Sequence, residues 1–120
     1  MADFLEIRKR KAALRELRAR ALESEIVKAL VENFGSIKRI YLFGSLAEGR
    51  FGLHSDIDVA VEGIPDEVFI RSMCVLNDIS DDFEFDLVEL DHISALLRKK
   101  ILERGVLIYE RKRDIEKVRK

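Results

Sequence analysis

The stretch Asp56-Ile57-Asp58-Val59-Ala60-Val61 constrains this chain more than any other. In a β-strand, successive side chains point to opposite faces. Ile57, Val59 and Val61 then face a core, and Asp56 and Asp58 share the other face. Two like charges a few ångströms apart raise each other's pKa and resist joint ionisation. A hard divalent cation reverses that cost, because Mg²⁺ takes carboxylate and phosphate oxygens. Glu84-Phe85-Asp86-Leu87 offers a third carboxylate, since Phe85 and Leu87 read as core-facing and Asp86 as their opposite. Three carboxylates from neighbouring strands can build a two-metal clamp with ions about 3.5–4 Å apart. A D-x-D pair alone carries little weight, because aspartates also collect as ion-pair partners.

The remaining pattern alternates short apolar runs with helical periodicity. Leu14, Leu17, Ala21, Leu22, Ile26, Ala29, Leu30 and Phe34 recur at helical spacing. No Pro or Gly interrupts them before Gly35, which suits the left-handed position that closes a helix. One helix over 3–34 would be about 48 Å long. A globule of this size has a radius of gyration of about 14 Å, so the first turns should overhang the body, bend back or lie on a partner. Phe4, Leu5 and Ile7 in that overhang favour the partner. Ile40-Tyr41-Leu42-Phe43 reads as a strand buried on both faces. Phe69, Ile70, Met73 and Leu76 give the next helix its core face, with Cys74 as a buried packing residue. Asp91 is expected to cap a helix whose inner face is Ile93, Leu96, Leu97, Ile101 and Leu102, closed by Gly105. Val106 to Tyr109 is a last short strand. The chain is thus expected to form one domain over 1–120. It divides into an N-terminal helix over 1–34, a core over 36–110 and a basic tail over 111–120.

Charge is segregated. Residues 1–20 carry seven basic and three acidic side chains, residues 111–120 carry six and two, and the middle is correspondingly acidic. An acidic middle suits divalent cations, and the basic ends read first as solvated helix faces. No apolar run is long enough to span a membrane. The first residues lack the basic-then-apolar order of a signal peptide, and the single Cys74 cannot form an internal disulfide. A cytoplasmic location is expected.

Upstream of the aspartates, Phe43-Gly44-Ser45 ends one strand, and ten residues separate Ser45 from Asp56. Gly44 permits a tight turn and the approach of a phosphate. Ser45 would begin a short helix whose free amides suit an anion. Ser45-Leu46-Ala47-Glu48 is equally a capping box, and one serine can serve both ends. His54, an exposed loop histidine, His92 on the surface, and Tyr41 and Tyr109 in the core are not read as site residues.

Gly44-Ser45, ten residues, then Asp56-x-Asp58 resembles the signature of the polymerase-beta-like nucleotidyltransferase superfamily, and the brevity resembles its minimal branch, the MNT proteins. The resemblance covers about residues 36–110, including Leu42-Phe43-Gly44-Ser45, Gly49, Ser55 to Asp58, Phe85-Asp86-Leu87-Val88 and Arg104 to Glu110. It implies an α+β fold, a mixed sheet flanked by helices like the polymerase-beta palm, preceded here by the long N-terminal helix. It implies that Asp56 and Asp58 hold two Mg²⁺ ions, and that Asp86 ligates one and helps draw the proton from the incoming hydroxyl. Gly44 and Ser45 would bind the terminal phosphates of ATP. Where the family often has basic side chains, this chain has Leu46 and Glu48, and Arg50 would supply the positive charge. Many minimal members are antitoxins paired with HEPN-type ribonuclease toxins, and active ones resemble protein adenylyltransferases that move AMP from ATP onto a tyrosine of the toxin. The resemblance therefore implies an adenylyltransferase antitoxin in a hetero-oligomer with a HEPN-type toxin. The alternative is a catalytically weak or silent antitoxin that neutralises its toxin by binding, through the overhanging helix. A nucleic-acid or antibiotic acceptor fits poorly, because enzymes for those acceptors usually add domains to hold them.

Overall fold

The computed structural model describes residues 3–112, so most of the basic tail lies outside it. The N-terminal helix is present in two parts, α1 (Phe4–Arg20) and α2 (Glu23–Asn33). Ala21 and Leu22 between them keep right-handed backbone angles. Leu22 N–H reaches back only three residues, to the Ala19 carbonyl. The local sequence contains no helix breaker. The turn falls beside the fully buried Ala19 and Arg20, whose guanidinium donates to the Leu46 carbonyl. The first turns of α1, ahead of Arg15, project from the body, and the molecule measures 64 × 28 × 27 Å. Phe4, Leu5, Ile7, Leu14 and Leu17 are exposed along it, so Leu14 and Leu17 are not core as their spacing suggested.

The sheet has the order β3-β2-β1-β4, built from β1 (Arg39–Phe43), β2 (Ile57–Glu62), β3 (Phe85–Glu89) and β4 (Val106–Glu110). β1 runs antiparallel to β2 and to β4, while β2 and β3 are parallel. A parallel pair needs a crossover, supplied by α4 (Phe69–Asn77). The single turn α3 (Gly44–Ala47) follows β1, and α5 (Ala95–Arg104) precedes β4. The expected mixed sheet flanked by helices is therefore present. One face, with Ile40, Leu42, Ile57, Val59, Val61, Phe85 and Leu87, packs against Ile26, Leu30, Phe34 and Leu76. The other face carries Tyr41, Phe43, Ala60 and Val88 beneath Leu97 and Ile101 of α5. Arg39 ties three strands at one end of the sheet, pairing with Glu62 and Glu110 at 2.8 Å each.

Several expected faces are rotated. In α4 the buried positions are Ser72 and Leu76, whereas Ile70 is 75% exposed and Met73 and Cys74 face outward. The stripe 69, 72, 76 follows the helical period, with Ile70 and Cys74 on the far side and Met73 at its edge. In α5, Leu96 is 79% exposed and Leu102 is exposed, leaving Ile101 as the buried anchor. Ser94, not Asp91, caps α5 by accepting from Leu97 N–H at 3.2 Å. Asp91 falls in a short 3₁₀ turn over Leu90–His92 and pairs with Arg98 at 3.0 Å. Gly35 does not take left-handed angles, and α2 ends instead on an extended Phe34. Gly105 closes α5 by close approach, since a Cβ there would press on the carbonyls of Ile101 and Leu42.

One buried charge was not foreseen. Glu89, at the end of β3, is 5% exposed. Its Oε2 accepts from Gly63 and Ile64 N–H at 3.0 Å each, and its Oε1 from Asp91 N–H at 2.8 Å. This carboxylate fastens the turn after β2 to the turn after β3.

Candidate active site

The parallel register pairs Asp58 directly with Asp86. Each stands two residues before a core position of the second face, Ala60 and Val88. The two carboxylates therefore share that face. Asp56 lies one residue ahead of β2. Asp58 is half-buried and Asp86 exposed. Burial, then the charge of Asp86, then that of Asp56, push the Asp58 carboxyl up from 3.8 to about 6. No arginine, lysine or histidine pairs with any of the three among the described residues.

As they stand, the three carboxylates are not drawn into one group at cation-binding distances among the described residues. The donor set nevertheless fits a hard divalent cation. It offers carboxylate oxygens only, with Asp58 pushed toward protonation by its burial and then by its two neighbours, and with no competing basic partner among the described residues.

Gly44 explains how Asp58 keeps its place. Phe43 is the cross-strand partner of Asp58, so Gly44 turns past the Asp58 carboxyl. Its φ is +70°, and a Cβ there would overlap Asp58 Oδ2. Gly44→Ala is accordingly expected to cost about 1–2 kcal/mol from the left-handed backbone alone. It should also dislodge the carboxylate. Thermal unfolding checks this: the loss should be clearly smaller when the same change is made in an Asp58→Ala background. Equal losses in both backgrounds would refute the steric account.

Ser45 is not a helix cap. The helical turn begins at Gly44, which moves Ser45 one step inside it, and its hydroxyl has no hydrogen-bond partner among the described residues. The capping box is therefore absent. Glu48 instead pairs with Arg50 at 3.3 Å and with Arg104 at 3.9 Å, which compensates its charge. Leu46 is buried in the core, so its side chain does not face the site. Beside Gly44 lies a cavity of about 150 Å³ lined by Phe43, Glu48, Arg50, Lys100, Ile101 and Arg104 among others. Lys100 was not singled out from the sequence, and Arg104 only as part of the resemblance and not as a site residue. Their i, i+4 spacing on α5 was visible, but only the packing of α5 beside α3 brings them to Gly44. His54 is exposed, and His92 pairs on the surface with Asp66 at 3.2 Å. No helix among the described residues is long and apolar enough to cross a membrane.

Comparison with known proteins bears on the family. The family described as Polymerase beta, Nucleotidyltransferase matches residues 24–114. The chain is 30% identical over 96 residues to the protein adenylyltransferase MntA of Shewanella oneidensis, covering 78% of this chain and 69% of that protein. A crystal structure of a toxin-antitoxin with AMP-PNP matches with a TM-score of 0.67 and 30% identity, over 78% of this chain and 77% of the other. A structure of a tri-AMPylated Shewanella oneidensis HEPN toxin in complex with MNT antitoxin matches with a TM-score of 0.62 and 27% identity, over 81% and 76%. With the matched stretch running through β1, α3, β2 and β3, the chain belongs to the polymerase beta nucleotidyltransferase family.

Proposed function

We propose that the chain is a Mg²⁺-dependent adenylyltransferase that moves AMP from ATP onto a hydroxyl of a HEPN-type toxin, a tyrosine by the family resemblance, and so acts as that toxin's antitoxin in the cytoplasm. The observation that carries this reading is the direct pairing of Asp58 with Asp86 across parallel strands, beside a glycine whose missing side chain leaves room for the carboxylate. Further support comes from the relative that is itself a protein adenylyltransferase and from the similar complexes holding AMP-PNP or an AMPylated HEPN toxin.

In this reading Asp56 and Asp58 hold two Mg²⁺ ions and Asp86 shares one of them. When bound, the ions neutralise the charge that grows on the phosphates as pyrophosphate leaves. The side chains of the chain itself do the positioning. Asp86, exposed near the start of β3, would accept the proton of the incoming hydroxyl at its carboxylate. Gly44 lets the phosphates approach the backbone, and the unpartnered Ser45 hydroxyl can donate to a phosphate oxygen. Arg50, Lys100 and Arg104 add positive charge around the adjoining cavity, offset in part by Glu48.

The test is to incubate the chain with its HEPN-type partner, ATP and Mg²⁺ and to weigh the partner. The expected result is a gain of one or more AMP groups, located on tyrosine by peptide mapping. No gain with any triphosphate or divalent ion would sink the reading. Neutralisation of the toxin by a folded Asp56→Asn, Asp58→Asn double variant would instead favour the silent antitoxin.

A further inference from the structure

Helix α1 lies ahead of the family-matched stretch, yet two of its arginines reach the site. Arg15 Nη1 donates to the Ser55 carbonyl at 2.8 Å and to the Gly52 carbonyl at 3.3 Å. The same guanidinium lies over the rings of Phe83 and Phe51, 4.7 and 5.0 Å from their centroids. Those rings pack on each other with centroids 6.0 Å apart. Arg15 has no carboxylate partner among the described residues. Among the described residues, both of its hydrogen bonds go to the backbone just before Asp56. The 52–55 turn is also closed on itself, since Gly52 N–H donates to Ser55 Oγ at 2.9 Å. Phe83 stands three residues before Asp86, so one planar cation touches the approaches to both aspartate-bearing strands. One turn and a half further along α1, Arg20 donates to the Leu46 carbonyl at 2.7 Å, in the helical turn that begins at Gly44.

We propose that Arg15 is a positioning residue. It clamps the 51–55 segment so that Asp56 is presented beside Asp58 and Asp86, and together with Arg20 it makes α1 a working part of the site. The proposal rests on reading those aspartates as the site. A guanidinium suits the task better than an ammonium, because its rigid planar fork can bond two carbonyls while stacking on aromatic faces.

The test compares Arg15→Ala and Arg15→Lys with the unmodified full chain by three measurements: hydrogen exchange along the chain, Mn²⁺ affinity by electron paramagnetic resonance, and the kinetics of AMP transfer. In Arg15→Ala, exchange should quicken selectively in residues 51–57, with α2 and β1 unchanged. Mn²⁺ should bind about tenfold more weakly, as when a residue supporting metal ligands is lost. The kcat should fall about 30- to 100-fold with KM for ATP within about threefold, the mark of misplacement without loss of binding. Arg15→Lys, which keeps the charge over the rings, should recover part of the kcat. Exchange in 51–57 and Mn²⁺ affinity both equal to the unmodified chain would overturn the proposal, as would quickening spread evenly over all elements. If the unmodified chain transfers no AMP but the alanine variant still loosens 51–57 and weakens Mn²⁺ binding, the positioning role stands and the adenylyltransferase reading fails.

Discussion

Asp58→Asn is expected to raise the melting temperature at neutral pH while lowering AMP transfer on the order of 10³-fold. The two effects have one cause. Asp58 is held half-buried beside Asp86 and Asp56, and its carboxyl is pushed up from 3.8 to about 6. The folded protein therefore binds that proton more tightly than the unfolded chain does. By linkage, the stability this group contributes is fully present below about pH 4 and is lost as pH rises through about 6. In a closed interior this displacement would be worth about 3 kcal/mol. Asp58 is partly open to solvent, and screening reduces the figure to about 1–1.5 kcal/mol. Asparagine keeps the shape and removes the charge, so the variant should melt about 4–6 °C higher at pH 7.5. The gain should vanish near pH 4, where the native aspartate is protonated. Calorimetry at the two pH values, beside a transfer assay, checks both halves. A variant less stable than the parent at pH 7.5 would mean that the three carboxylates do not strain one another. Mg²⁺ should stabilise the parent and have little effect on the variant, because binding to the folded state alone raises stability by mass action.

Glu89→Ala is expected to cost about 3–5 kcal/mol. The carboxylate is almost wholly buried and takes three backbone N–H groups, from Gly63, Ile64 and Asp91. Hydrogen bonds to a charged group contribute about 1.5–3 kcal/mol each, and buried donors left without a partner add their own desolvation cost. Alanine orphans all three and leaves a cavity. The melting temperature should fall by about 15 °C, and the urea midpoint should drop with an unchanged slope. Glu89→Gln should lose about half as much, since its amide oxygen can still accept. Glu89 closes β3 three residues beyond Asp86 and pairs in register with Val61. Transfer measured well below the melting temperature should therefore stay near the parent value. A loss under about 1 kcal/mol for alanine would show that water replaces the carboxylate at these amides.

These two residues mark what could be read along the chain. Asp58 announced itself because its pattern is local: a strand alternates its faces, so Ile57, Val59 and Val61 had to be core and Asp56 and Asp58 had to share the opposite side. The same logic put Asp86 opposite Phe85 and Leu87. Glu89 was silent, because nothing in Leu87-Val88-Glu89-Leu90 says that two turns from elsewhere will aim their amides at it. Helix faces were the weakest reading. Ile70, Met73, Leu96 and Leu102 are apolar at near-helical spacing, yet the packed stripe runs through the polar Ser72 instead of Met73. A run of apolar residues on several sides of a helix leaves its rotation open until a neighbour chooses.

Backbone glycines divide the same way. Gly35 looked like a helix closer and is not, while Gly44, Gly49 and Gly63 take the left-handed angles. At Gly44 the need is set by a side chain fourteen residues away, Asp58. Alternation and spacing along the chain marked the strands and the three acidic side chains with Gly44 and Ser45, because those patterns depend on immediate neighbours, while the mixed sheet was implied only by the family resemblance. Which cations line the adjoining cavity, which carboxylate is buried, and the reach of Arg15 and Arg20 from α1 were decided only by tertiary structure. Each depends on the meeting of segments distant in sequence, and no local periodicity encodes such a meeting.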